Sequence, residues 1–166
     1  GQEFTWPMAP GLDGKPVDLR QTPLQPHYLD HAATLIDTER KYGWTTALHP
    51  GKRLIVGYVF RREEFPWVQY WGNFPPTGKM SRGLEFSTQP FDVPRREAIG
   101  ALPLFGAPTY RWLPAKSAIE TRFLLFYART PEGMSKVDDV RLENGKLIVE
   151  DRAAAKTLTL AASLGL

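Results

Sequence analysis

Glu64-Phe65-Pro66-Trp67-Val68-Gln69-Tyr70-Trp71-Gly72-Asn73-Phe74 runs into Pro75-Pro76-Thr77-Gly78, and Arg82-Gly83-Leu84-Glu85-Phe86-Ser87-Thr88-Gln89-Pro90 follows. The order reads as strand, connecting loop and strand, because aromatic and β-branched residues favour a pleated surface and Pro-Gly clusters break it. Trp67, Trp71 and Phe65 share one parity along the first strand, and Tyr70 has the other. The second strand is apolar except for Glu85 between Leu84 and Phe86. A carboxylate in that setting needs a partner or a task, and burial would raise its pKa toward the range of a general base. The plain alternative is an ion pair with Arg82, Arg111 or Lys79 at a sheet rim.

Working outward, the same composition recurs. Tyr28–Ile36, Tyr42–Leu48 and Arg53–Phe60 read as strands, with His49-Pro50-Gly51-Lys52 as a hairpin connection between the last two. Tyr110–Leu113 and Ala118–Ala128 read as two more around a turn at Pro114–Ser117. Val137–Leu142, Lys146–Glu150 and Thr157–Ala161 complete the set, with Glu143-Asn144-Gly145 as a tight turn. Residues 1–26 read as irregular, with Phe4-Thr5-Trp6-Pro7 as a short edge strand and a turn at Asp13-Gly14. Residues 89–107 read as a long loop with one helical turn around Arg95–Ile99, long enough to cover a site. No sustained 3.6-residue period leaves room for crossover helices, so the expected class is all-β, an antiparallel β-sandwich. A chain of 166 residues fits one domain spanning 1–166.

Composition narrows the function. Hydrophobic residues make up 42% and charged residues 23%, which are globular values. The net charge of +3 is spread along the chain, and Arg61-Arg62 and Arg95-Arg96 run directly into acids, so no nucleic-acid surface is expected. No apolar run is long enough for a membrane-spanning helix. Cysteine is absent, which excludes thiol catalysis and cysteine-ligated zinc and leaves the localisation open. His27, His31 and His49 lack metal-ligand spacing, and neither a nucleophile-elbow serine nor a phosphate loop appears. No metal and no cofactor is expected. The acid pairs Glu63-Glu64 and Asp138-Asp139 point to opposite faces of a strand and make poor glycosidase dyads. What remains is an aromatic strand beside a carboxylate. Sugars stack their C–H faces on such rings, so Trp67, Tyr70 and Trp71 are candidate sugar-binding residues.

Several of these segments resemble aldose 1-epimerases (galactose mutarotases). Gly83-Leu84-Glu85-Phe86-Ser87-Thr88-Gln89-Pro90 resembles the Leu-Glu segment that carries the family's catalytic base. Tyr28-Leu29-Asp30-His31 resembles its Asp-His segment, whose Asp binds sugar hydroxyls. Phe4-Thr5-Trp6-Pro7 with the Asp-Gly loop, and Leu113-Pro114-Ala115-Lys116-Ser117 before a long strand, are similar too, so the likeness spans most of residues 4–128. It implies a β-supersandwich and a small-molecule sugar as partner. Glu85 would take the anomeric proton, Asp30 and His31 would lie on the sugar, and a His would protonate the ring oxygen. The family's Asn-His motif, its sugar-holding Arg and its N-terminal strands have no counterpart here, so the likeness is to the C-terminal half of such a protein. An incomplete sandwich exposes sheet edges, which predicts a homodimer or pairing with another domain. Two alternatives stand beside the isomerase: a non-catalytic carbohydrate-binding module on Trp67, Tyr70 and Trp71, and an accessory β-domain of a larger glycoside-processing protein.

Overall fold

The computed structural model describes residues 2–21, 31–162 and 166. It is an all-β protein of antiparallel sheets, and its backbone contacts group into two compact units. One comprises Gly1–Ile36 and Pro66–Trp112, the other Asp37–Phe65 and Leu113–Leu166.

The second unit is a small sandwich. Strands β4 (Tyr42–His49), β5 (Leu54–Arg61) and β8 (Phe123–Arg129) form one sheet, with β5 in the middle. β9 (Asp139–Glu143), β10 (Lys146–Asp151) and β11 (Lys156–Ala161) form the other, with β10 in the middle. Alternation decides what lies between them. Ile55 and Val59 of β5, Phe126 of β8, Val140 of β9, Leu147 and Val149 of β10 and Leu158 of β11 bury together, with Met134 closing the cluster. Gly57 is required by this packing: a Cβ there would stand 2.6 Å from Phe126 Cζ and 2.8 Å from Thr46 Cγ2. The turns follow the expected chemistry. Asn144 and Gly145 both have positive φ (49° and 71°), as the two-residue hairpin turn matching strand twist demands. The expected connection at residues 49–52 is a 3₁₀ turn, Pro50–Lys52, capped by His49 Nδ1 accepting from the Lys52 N–H.

A buried carboxylate ties this unit together. Asp151, 1% exposed, accepts from the N–H groups of Ser135 (2.9 Å), Lys136 (3.2 Å) and Ala154 (3.0 Å) and from the Ser135 hydroxyl (3.1 Å). The Ser135 N–H leads the donors that hold its carboxyl down at about 2, against the loss of hydration that pushes it up.

In the first unit, β1 (Met8–Pro10) and β2 (Pro16–Asp18) pair as a hairpin over the expected Asp13-Gly14 turn, where Gly14 has φ 78°. The segment read as irregular thus contains two short strands, while Phe4–Pro7 is not a strand. β3 (Ala32–Leu35), β6 (Trp67–Asn73) and β7 (Ser81–Ser87) form the unit's three-stranded sheet, with β6 central. Ala9, Val17 and Leu19 of the hairpin region bury against Ala32 and Tyr70 on one face of that sheet. Helix α1 (Arg95–Gly100) is the helical turn expected in the long loop.

Strands expected at Tyr110–Leu113 and 118–122 are irregular, and the long strand begins only at Phe123. The apolar residues there are not drawn into a ladder: Trp112, Leu113 and Ile119 remain exposed.

Loss of the Asp151 carboxylate removes four hydrogen bonds to a charged, buried acceptor, each worth about 1.5–3 kcal/mol, so Asp151→Ala is expected to lower the urea midpoint clearly. The depressed carboxyl also sets a pH dependence. Its stabilisation is complete above the unfolded value of about 3.9 and is lost as pH falls toward about 2. Urea melts of the wild type should steepen in that window relative to Asp151→Asn; parallel acid limbs would refute the role.

Candidate functional site

The register of the β3-β6-β7 sheet sorts its side chains into two sets. Trp67 lies opposite Ser87, Gln69 opposite Glu85, Trp71 opposite Gly83 and Asn73 opposite Ser81, while Ala33 and Leu35 of β3 lie opposite Gln69 and Trp67. These share one face. Val68, Tyr70 and Gly72, with Phe86, Leu84 and Arg82 across from them, share the other.

The Glu85 face is covered at one end and open at the other. The Trp67 indole N–H donates to the Pro108 carbonyl (3.0 Å), and Trp67 is 1% exposed. Gln69 Nε2 donates to the Gln89 carbonyl (2.6 Å), and Gln89 is itself held by the Ser87 hydroxyl and the Phe91 carbonyl. His31 Nε2 lies 3.0 Å from the Pro90 carbonyl oxygen. A carbonyl only accepts, so Nε2 carries the proton and Nδ1 is the remaining ring nitrogen. Residues 89–108 are therefore pinned near Trp67, Gln69 and His31. Beyond it Trp71 is 47% exposed, and Glu85 is half-buried rather than enclosed.

Glu85 makes no ion pair among the described residues, so the rim pairing weighed from the sequence is not formed. Its carboxylate folds back along β7 into the space over Gly83, where an added Cβ would overlap Oε1 and stand 3.0 Å from Cδ. Gly83 lies directly across from Trp71, so the carboxylate occupies the slot that faces Trp71 across the strand pair. Carboxylate and half-open indole are neighbours. Along this face of the three strands Glu85 is the sole charged residue, and no cation accompanies it.

Arg82, the nearest cation in sequence, lies on the opposite face. Its guanidinium carbon sits 4.6 Å from the centre of the Tyr70 ring, across the side-chain-free Gly72. Burial pulls the Arg82 pKa down, opposed by Tyr70, and pushes the Tyr70 hydroxyl up, opposed by Arg82. The Tyr70 hydroxyl and Arg82 Nε are both buried without a hydrogen-bond partner among the described residues. The pair is held by cation–π attraction, and the polar atoms are the cost of that packing.

The structure thus separates the residues singled out in the sequence. Glu85 and Trp71 come together; Trp67 shares their face but lies beneath the loop; Tyr70, 6% exposed, belongs to the core behind the sheet. His31 is bound to the loop, and Asp30 and His27 lie outside the described residues. His49 caps a turn in the other unit. Gln69 and Gly83 were missed. The signals were a lone amide in an aromatic strand and a glycine two residues before the acid, which places it on the acid's own face. No group of three or more metal-ligating side chains occurs among the described residues.

Tyr70→Phe should leave the ring stacked on Arg82 while deleting an unpartnered hydroxyl, so stability is expected to hold or rise by about 1 kcal/mol in urea melts. A loss of that size would mean that the hydroxyl has a partner.

Comparison with protein-family models, curated proteins and solved structures found no match to this chain.

Proposed function

We propose that the Glu85–Trp71 face binds a neutral pyranose and exchanges its anomers, with Glu85 as general base. The observation that carries this reading is the unpaired carboxylate set across from a half-exposed indole, with no cation on this face among the described residues of the three strands. An indole of that exposure offers a flat surface for the C–H face of a sugar, and the adjacent carboxylate accepts from a hydroxyl at its edge. The lack of a cation disfavours uronates and sugar phosphates, whose charge Glu85 would repel. The resemblance of residues 83–90 to the base-carrying segment of aldose 1-epimerases points the same way.

The step balances without a cofactor. Glu85 takes the proton of the anomeric hydroxyl, the C1–O5 bond breaks with its electron pair going to O5, and O5 takes a proton from solvent water, which recovers it on reclosure. Rotation about C1–C2 and reclosure on the other face reverse each transfer and return the proton from Glu85.

A second reading, sugar binding without catalysis, is favoured by one observation: among the described residues of the three strands Glu85 is the only ionisable side chain on this face, and the nearby His31 uses Nε2 on the Pro90 carbonyl. Trp71 is the platform in both readings.

Exchange of α- and β-glucose and galactose, followed by saturation-transfer NMR, separates the two. The catalytic reading expects acceleration over buffer that falls roughly 100-fold or more in Glu85→Gln, the usual scale for losing a general base. Equal rates for wild type and Glu85→Gln would leave only the binding reading. Trp71→Ala should abolish sugar-dependent fluorescence change in both, and an unaltered titration would defeat the site itself.

A further inference from the structure

We infer that Gly83 is a positioning residue, whose missing side chain sets the Glu85 carboxylate against Trp71; the inference rests on the reading of this face as a sugar site. Three observations carry it. Gly83 lies inside β7, paired with Trp71, at a place where glycine weakens a strand. Its φ is outside the left-handed region, so the backbone there would accept any L-residue. What excludes a side chain is Glu85 itself: Oε1, Cδ and Cγ occupy the place of the absent Cβ, the last two at 3.0 and 3.1 Å from it.

The asymmetry with Gly57 is informative. At Gly57 the obstacle is Phe126, a ring locked in the core of its unit. At Gly83 it is the far end of a half-buried, unpaired glutamate, free to swing to another rotamer. A methyl group at 83 therefore moves the carboxylate rather than the backbone. The strand gains a residue better suited to it, and the acid loses its place beside the indole. A general base displaced by about 1 Å from its proton costs on the order of 100-fold in rate, whereas stacking on Trp71 continues.

The test is Gly83→Ala in the full chain, with Ser81→Ala as control on the same strand face. Three measurements are made: thermal melting, anomer exchange of glucose and galactose, and the pH titration of the Trp71 indole NMR signal against the Glu85 carboxyl ¹³C signal. In the wild type the indole signal should titrate together with Glu85, and in Glu85→Gln that inflection should vanish. Gly83→Ala should melt at the wild-type temperature or higher, lose at least half of the indole inflection, and lose kcat roughly 10- to 100-fold with KM within about twofold. Ser81→Ala should change none of these. Wild-type indole titration or wild-type exchange in Gly83→Ala would overturn the inference, as would a melting temperature lowered as far as in Gly57→Ala. A wild-type chain that leaves exchange at the buffer rate defeats the anomer reading alone, and the indole titration then decides the role of Gly83.

Discussion

Pairing of β6 with β7 fixes the arrangement on which everything in the first unit depends. Seven successive pairs, from Trp67 with Ser87 to Asn73 with Ser81, leave each side chain one of two faces. A strand has a side-chain period of two, so a slip of one residue would turn Glu85 and Trp71 into the core and bring Tyr70 and Arg82 out. Burial guards against that slip. Tyr70 packs with Ala9, Val17, Leu19 and Ala32 behind the sheet, and Trp67 is held by the Pro108 carbonyl in front of it.

The two faces are held by different forces. Behind the sheet the contacts are apolar, and Arg82, the one charged residue that the described strands place there, is stacked on an aromatic ring rather than paired with an acid. In front, amide, indole and imidazole donors hold the carbonyls of Gln89 and Pro90 in the loop and of Pro108 just after it. Such bonds are directional, so they seat the loop over Trp67 and Gln69 and stop short of Trp71. The opening beside Glu85 is the part of this face that the loop leaves uncovered. In the other unit the fully buried acid Asp151 has four donors, whereas Glu85 has none described.

Much of the β-architecture was legible along the chain because its signals are local. Alternation, β-branched and aromatic runs, and turn pairs such as Asn144-Gly145 act within a few residues, and the strands from β4 to β7 and from β9 to β11 follow them closely. Where the expectation failed, the cause was distant. Tyr110–Leu113 has strand-like residues but finds no partner strand, and β1 and β2 pair although proline-rich surroundings argued for irregular chain.

For the candidate site, the sequence alone determined the chemical types in play: a carboxylate in an apolar strand, rings in its neighbour, and no cysteine. Parity even separated Tyr70 from Trp71. Which ring stays open, whether the acid meets a cation, and why residue 83 has no side chain were decided by tertiary structure. The first two depend on neighbours over a sheet face, which come from residues 20 to 60 positions away, and the third on the fold of the Glu85 side chain along its own strand. Pattern along one strand says which way a side chain points; only the assembled sheet and its loop say what it meets there.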